Sequence, residues 1–141
     1  MAVVKYLTVS PAGVVAERAA DSDDADVLSR VLQGEVAGCV HEFQLSPGLV
    51  MVHRELEGKP EPDQYNAYAT SAATGLARLR QALYVFAGTV LFIGRARAEW
   101  TSIADADASR VRELVAAVTL AAKERVFARA RANKLDVSGR E

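Results

Sequence analysis

The chain has few of the residues that support covalent or metal-centred chemistry. It contains one cysteine, Cys39, and two histidines, His41 and His53, among 141 residues. A single cysteine excludes an intrachain disulfide, and its apolar neighbours predict a small buried side chain in a reducing, cytoplasmic setting. No serine lies in a G-x-S-x-G pattern of the kind that presents a catalytic nucleophile. We therefore expect a protein that is not an enzyme and that has neither a cofactor nor a metal site.

Long apolar runs and an excess of one charge are also missing. The longest apolar stretch, residues 82–94, has thirteen residues, whereas a helix needs about 20 to cross a bilayer. The formal net charge of −1 excludes binding to a polyanion by bulk charge. With half of its residues apolar and a quarter charged, the chain is typical of one globular domain. We expect this domain to cover residues 1–134, a flexible tail to follow at 135–141, and no membrane partner.

Hydrophobic periodicity predicts an α+β fold. Alternating apolar residues on either side of Pro- and Gly-containing turns predict two β-hairpins, at 3–18 and 36–55. The apolar run 89–93 predicts a buried central strand. Apolar residues at helical spacing predict three helices, the first ending at Gly34, the second at about 63–85 and the last at about 102–133. We expect the strands to form one sheet, the helices to pack on one face of it, and the long C-terminal helix to project beyond the core.

The pairing of the second hairpin depends on its turn. If residues 47–48 are the two turn residues, Glu42 lies opposite His53. His41 and His53 then face opposite sides of the sheet, which excludes a metal ion shared between them. A shift of one residue would exchange the two faces of the strand, so this expectation depends on the turn.

The most specific pattern joins the second hairpin to the second helix. It consists of Glu57-Gly58-Lys59, Asn66 after a gap of six residues, and Ala69-Thr70. In a structural interpretation, Gly58 makes the turn, Lys59 pairs with a carboxylate and Asn66 caps the helix. In a functional interpretation, Lys59 and Asn66 hold an anion or an amide-bearing partner. The segment is not a phosphate loop, since it lacks the second glycine and the Lys-Ser/Thr pair.

Two further features are candidate binding residues. Trp100 follows the buried strand, where a lone tryptophan either packs in the core or stacks on a ligand. The candidate ligand-binding residues are therefore Glu57, Lys59, Asn66 and Trp100. The basic end of the last helix carries Arg125, Arg129 and Arg131, which predict either contacts with a nucleic-acid backbone or a solvated or self-associating helix face.

Several motifs occur in a characteristic order. They are Leu32-Gln33, Val36-Ala37-Gly38, Glu57-Gly58-Lys59 with Asn66 and Ala69-Thr70, the run Gly88 to Gly94, and Trp100-Thr101-Ser102 with Asp105. In this order the chain resembles an uncharacterised family of small proteins from actinobacteria and their bacteriophages, over roughly residues 3–118. It departs from the family's pattern at Glu55-Leu56 and Gln64-Tyr65. The resemblance implies an α+β domain carried by mobile elements, and it supplies no activity.

Three functions remain open. The first, which we expect, is a non-enzymatic phage or mobile-element protein that binds a host protein. The second is capture of a small anionic molecule, such as a signalling nucleotide. The third is DNA binding through Arg125, Arg129 and Arg131. The long C-terminal helix leads us to expect a homodimer.

Overall fold

The computed structural model of the protein describes residues 3–21, 25–54, 64–79 and 85–140. Within these ranges the elements are, in chain order, β1 (Val3–Val9), β2 (Val15–Asp21), α1 (Ala25–Val36), β3 (Val40–Ser46), β4 (Leu49–Arg54), α2 (Ala67–Leu76), β5 (Val90–Ala96), β6 (Glu99–Thr101), α3 (Asp105–Ala116) and α4 (Leu120–Arg140). Glu57 and Lys59 lie outside the described residues, so the predictions made for them stay predictions.

The strands form one antiparallel sheet, which confirms the α+β fold class. Its order is β2-β1-β5-β4-β3, and β6 pairs with the far end of β5. Two hairpins and a central strand form five of its six strands, as the sequence predicts, and β6 is the sixth. The chain reverses after β5 at Arg97, whose φ of 60° lies in the left-handed region, and β6 then returns alongside residues 94–96.

Strands β1, β4 and β5 are buried on both sides, because apolar side chains alternate between two clusters. One cluster joins the sheet to α1 and contains Val4, Tyr6, Val50, Val52, Leu91 and Ile93 together with Leu28, Leu32 and Val36. The other joins it to α2 and α3 and includes Leu7, Val9, Leu49, Met51, Val90 and Phe92. We call these the α1 face and the α2 face. The expectation that all helices lie on one face is not confirmed, since α1 and α2 cover opposite faces.

The first helix continues beyond Gly34, where the sequence predicts its end. Helix α1 runs to Val36 and is closed by Ala37, which adopts a φ of 56°, with Gly38 N–H donating to the Gln33 carbonyl at 3.3 Å. This is the left-handed C-terminal cap expected of glycine, supplied here by alanine. Strand β3 therefore begins at Val40 rather than at residue 36, and Cys39 is exposed rather than buried.

The second hairpin has the predicted turn but not the predicted pairing. Ser46 pairs with Leu49 across residues 47–48, and the register then shifts so that Gln44 pairs with Val50. The additional residue is Leu45, which bulges from the ladder and is buried in the core on the α2 face. The bulge places His41 opposite His53, so the prediction that the two histidines face opposite sides is wrong.

The C-terminal region contains two helices rather than one. Helix α3 ends at Ala116, and Thr119 then starts α4 by accepting a hydrogen bond from Ala122 N–H at 3.1 Å. The break lets α3 bury Val111 and Val115 on the α2 face, while α4 packs in a separate cluster with Tyr65 and Ala67. Helix α4 has 21 residues, so the C-terminal helix is long, as predicted. It reaches Arg140, and the flexible tail predicted at 135–141 stays a prediction.

Helix α2 covers only part of the predicted segment 63–85. It begins after Asn66 and ends at Leu76, and Arg78 leaves it with a φ of 57°. None of the helices in the described ranges combines the length and the apolar character that a bilayer crossing requires.

Candidate functional site

Asn66 is fully buried and uses its whole amide group inside the chain. Its Nδ2 donates to the Val9 carbonyl at 2.8 Å and to the Gly88 carbonyl at 2.9 Å. Its Oδ1 accepts from Ala69 N–H at 2.9 Å, which caps α2. The side chain thus connects the end of β1, the segment before β5 and the start of α2. These contacts favour the structural interpretation of Asn66 over a role in ligand binding.

The Ala69-Thr70 part of the motif is structural as well. Ala69 has no exposed surface and packs between α2 and the sheet. The Thr70 hydroxyl accepts from Phe86 N–H at 3.1 Å, and the Asn66 N–H donates to the Phe86 carbonyl at 2.8 Å. The Thr70 hydroxyl and the Asn66 backbone N–H therefore hold the segment around Phe86 against the start of α2. The spacing of Asn66 and Thr70, four residues apart at a helix start, is the signal for this role.

Trp100 lies on the α1 face at the end of the sheet. It is partly buried against the cluster beneath α1, and the Arg95 guanidinium carbon lies 3.8 Å from the centroid of its ring. Arg95 and Trp100 are paired residues of β5 and β6, so their side chains project on the same side. A guanidinium at this distance over an indole ring makes a cation–π contact.

A carboxylate from a third strand completes this arrangement. Arg95 Nη1 forms an ion pair with Glu42 Oε1 of β3, and β4 lies between the two strands. The Arg95 side chain is 23% exposed and the Glu42 side chain 42% exposed, so both reach solvent. We call Glu42, Arg95 and Trp100 the Trp100 surface. It offers an aromatic ring, a cation and an anion in fixed positions on three strands.

The backbone beneath the Trp100 surface is tied to β1. Ser102 Oγ accepts from Lys5 N–H at 2.9 Å and donates to the Val3 carbonyl at 3.2 Å. Ile103 N–H donates to the Lys5 carbonyl at 2.9 Å. Because the segment after Trp100 is held at three points, the tryptophan is positioned by the sheet and not by a free loop.

The three arginines of α4 do not share one face. Arg125 and Arg131 are exposed, whereas Arg129 is partly buried, and its Nε has no hydrogen-bond partner among the described residues. At about 100° per residue, Arg131 points well away from the side shared by Arg125 and Arg129. Helix α4 buries Val126 and Ala130 against Tyr65 and Ala67. A continuous track of three arginines along a nucleic-acid backbone is therefore not formed by this helix alone.

The two histidines form a stacked pair on the α2 face. Their ring centroids are 5.8 Å apart, and the His53 ring lies 4.7 Å from that of Phe86. Burial lowers the pKa of His53 from its ordinary value of 6.5, and the charge of His41 lowers it further, while the bond with the Arg54 carbonyl opposes the shift. Among the described residues, no group of three or more His, Cys, Asp or Glu side chains is placed to hold a metal ion.

His53 makes the stability of the fold depend on pH. We expect the free energy of unfolding to fall as the pH is lowered from about 7, because the unfolded chain binds a proton near pH 6.5 and the native chain only below that. One such group changes the free energy by at most about 1.4 kcal/mol per pH unit. Urea titrations from pH 8 to 5 should show a shallower dependence for His53→Phe. The matched variant His41→Gln leaves the buried imidazole of His53 in place, so it should keep most of the pH dependence. If the free energy of unfolding changes with pH equally in wild type and His53→Phe, His53 is not the source of that dependence.

The sequence predicts four ligand-binding residues. Among the described ones, only Trp100 lies beside polar side chains that reach solvent, those of Glu42 and Arg95. Asn66 is enclosed, and Glu57 and Lys59 fall outside the described ranges. The sequence does not predict Glu42 and Arg95 as site residues, since no local pattern connects positions that only the order of the strands brings together. Comparisons with protein-family models, with curated proteins and with solved structures found no match to this chain.

Proposed function

We propose that this chain is a non-enzymatic binding protein of a phage or mobile element, and that it recognises a host protein through the Trp100 surface. The observation that carries the proposal is the Arg95 guanidinium held over the Trp100 ring, with Glu42 paired to it. Tryptophan and arginine are the residues most enriched among those that dominate binding energy at protein interfaces. The ionic partners reach solvent, so a docking protein can contact them directly.

The side chains of the Trp100 surface are held in place within the chain itself, which supports binding by a preformed surface. Arg95 is already oriented by two contacts, and the segment after Trp100 is tied to β1 by three hydrogen bonds. A partner then pays little for ordering these side chains, and this raises affinity for a given contact area. The mixed charges of Glu42 and Arg95 fit a protein surface with both signs of charge better than they fit a simple anion.

Affinity capture tests the proposal. The purified chain is immobilised and exposed to lysate of the host, and the retained proteins are compared for wild type, Trp100→Ala and Arg95→Ala. We expect one stoichiometric host protein with wild type and its loss with both variants. Arg97→Gly is the matched control, because it removes an exposed arginine two residues away and relieves a positive φ.

Two outcomes would contradict the proposal. If Trp100→Ala and wild type retain the same host protein in equal amounts, the Trp100 surface is not the binding surface. If Arg97→Gly loses the protein as fully as Arg95→Ala, the effect follows net charge and not the geometry of the site. Circular dichroism of each variant shows whether its fold is intact.

A further inference from the structure

The two edges of the sheet differ in how they are protected. Strand β3 carries the bulge at Leu45, a feature that disturbs pairing with another strand. Strand β2 pairs with β1 through seven consecutive residues without a register shift, and it contains neither proline nor glycine. Its centre, residues 17–19, is exposed. A long, regular and exposed edge of this kind is a template for another strand.

The hydrogen bonds of β1 show which backbone groups of β2 face outward. Lys5 directs both its N–H and its C=O toward Ser102 and Ile103, away from β2. Its paired residue, Ala19, is therefore in a non-hydrogen-bonded pair and directs its own N–H and C=O away from β1. Since this alternates along the strand, Glu17 and Val15 also face outward. Within the described part of the chain, no partner is recorded for the outward backbone groups of Glu17 and Ala19.

We propose that β2 pairs antiparallel with β2 of a second copy of this chain, which joins the two sheets into one. In such a pairing, outward-facing residues of one β2 lie opposite outward-facing residues of the other. Three registers keep the centre of the strand paired, and they place Glu17 opposite Glu17, Ala19 or Asp21 of the second copy. The charges of these residues select among the three. Glu17 opposite Glu17, or Glu17 opposite Asp21, places like charges together. Glu17 opposite Ala19 of the second copy avoids both. It places Arg18 opposite Arg18 at the two-fold axis, where each arginine is already paired with Glu35 of its own chain.

Charge complementarity supports this register. The Lys5 side chain lies beside Ala19 on the α2 face and is exposed. In the proposed pair, Ala19 separates Lys5 from Glu17 of the second copy by two strand spacings, about 10 Å between backbones. A lysine and a glutamate reaching over a small alanine can span that gap. The two-fold axis generates this contact twice.

The arginines at the axis are already neutralised. Arg18 Nε donates to Glu35 Oε2 at 2.9 Å, and Arg18 Nη2 donates to Glu35 Oε1 at 3.2 Å. Glu35 also accepts from the Tyr6 hydroxyl at 2.9 Å, which fixes its position on α1. Two such Arg18–Glu35 pairs meeting across the axis carry no net charge, so the close approach of the arginines is tolerated.

The proposed dimer uses none of the residues of the Trp100 surface, so the two proposals fail independently. It also replaces the C-terminal helix as the basis for a homodimer, since α4 packs Val126 and Ala130 within its own chain. Pairing of a single short strand buries little area compared with a permanent dimer. We therefore expect a reversible, concentration-dependent equilibrium.

Sedimentation equilibrium over a range of concentrations tests the interface. We expect wild type to dimerise and Ala19→Pro to weaken dimerisation at least tenfold, because proline removes an outward N–H without breaking a bond to β1. Ala19→Thr is the matched control, since it keeps the N–H and suits a strand. A wild-type chain that stays monomeric at about 1 mM overturns the proposal, as does a control that loses dimerisation to the same extent as Ala19→Pro.

A charge exchange tests the register, and it does not depend on proline being tolerated. Lys5→Glu should weaken dimerisation about tenfold, because two cross-strand ion pairs become repulsive. The double variant Lys5→Glu/Glu17→Lys restores both pairs and should return the dissociation constant to within a few-fold of wild type. If the double variant stays as weak as Lys5→Glu, the proposed register is wrong.

Discussion

Replacing Asn66 with alanine is expected to lower the free energy of unfolding by about 3 kcal/mol. The variant loses the cap of α2, worth about 1 kcal/mol. It also removes the donor of the Gly88 carbonyl and one donor of the Val9 carbonyl, which is paired with Val90 in the sheet as well; a carbonyl left unsatisfied in the interior costs about 1–3 kcal/mol. Since Asn66 joins three parts of the chain inside the core, we expect the substitution to destabilise the whole domain and not only α2.

Urea denaturation at constant pH measures this loss, and Asn66→Asp identifies its source. Aspartate keeps the capping oxygen but replaces the donating amide nitrogen with an oxygen that faces two carbonyls. We expect it to destabilise the fold at least as much as alanine does. A loss below about 1 kcal/mol for alanine, or wild-type stability for aspartate, would show that the cap alone matters.

Replacing Gly94 with alanine is expected to cost about 3 kcal/mol and to disturb the Trp100 surface. A Cβ at this position would lie 2.6 Å from the Ser102 carbonyl oxygen and 2.6 Å from Thr101 Oγ1. The Ser102 carbonyl belongs to the backbone and cannot move without shifting the segment that follows β6, and overpacking of this kind costs about 1–3 kcal/mol, sometimes more. Here glycine is needed for the close approach of two strands and not for a positive φ.

The single tryptophan reports this disturbance directly, because Trp100 is the only one in the chain. We expect its emission to shift to longer wavelength in Gly94→Ala as β6 moves and the ring becomes more exposed. Gly48→Ala is the matched control, since no atom of the described part of the chain lies within 4 Å of the Cβ that it would add. It should change stability by no more than about 0.5 kcal/mol. Equal effects of the two substitutions would contradict the role assigned to Gly94.

Much of the fold follows from local pattern, and the errors have identifiable physical causes. Alternating apolar residues and Pro–Gly turns correctly predict both hairpins and the central strand. The bulge at Leu45 is invisible to such patterns, because it depends on the core that Leu45 enters and not on the turn. The sequence predicts that α1 ends at Gly34, because glycine favours the left-handed cap, yet Ala37 adopts that conformation. Packing of Val36 on the sheet holds the helix for one more turn.

The candidate site was only partly predictable for a related reason. The spacing of Asn66 from Ala69-Thr70 marks a helix start, and the structural interpretation made from the sequence agrees with the observed cap. The partners of the Asn66 amide nitrogen, Val9 and Gly88, are distant in sequence and depend on the order of the strands. The sequence identifies Trp100 as a candidate. Trp100 and Glu42 come together only because β3, β4 and β5 are adjacent in the sheet. The sequence patterns that predict individual hairpins do not determine this strand order.

The affinity of the captured host protein for the purified chain, measured by calorimetry, tests the central claim most directly. Removal of an interfacial tryptophan that dominates binding typically costs 2–4 kcal/mol, so Trp100→Ala should weaken the complex by about 30-fold or more. Arg97→Gly should leave the dissociation constant within about twofold of wild type. A dissociation constant for Trp100→Ala equal to that of the wild-type chain would contradict the claim that this protein binds its host partner through the Trp100 surface.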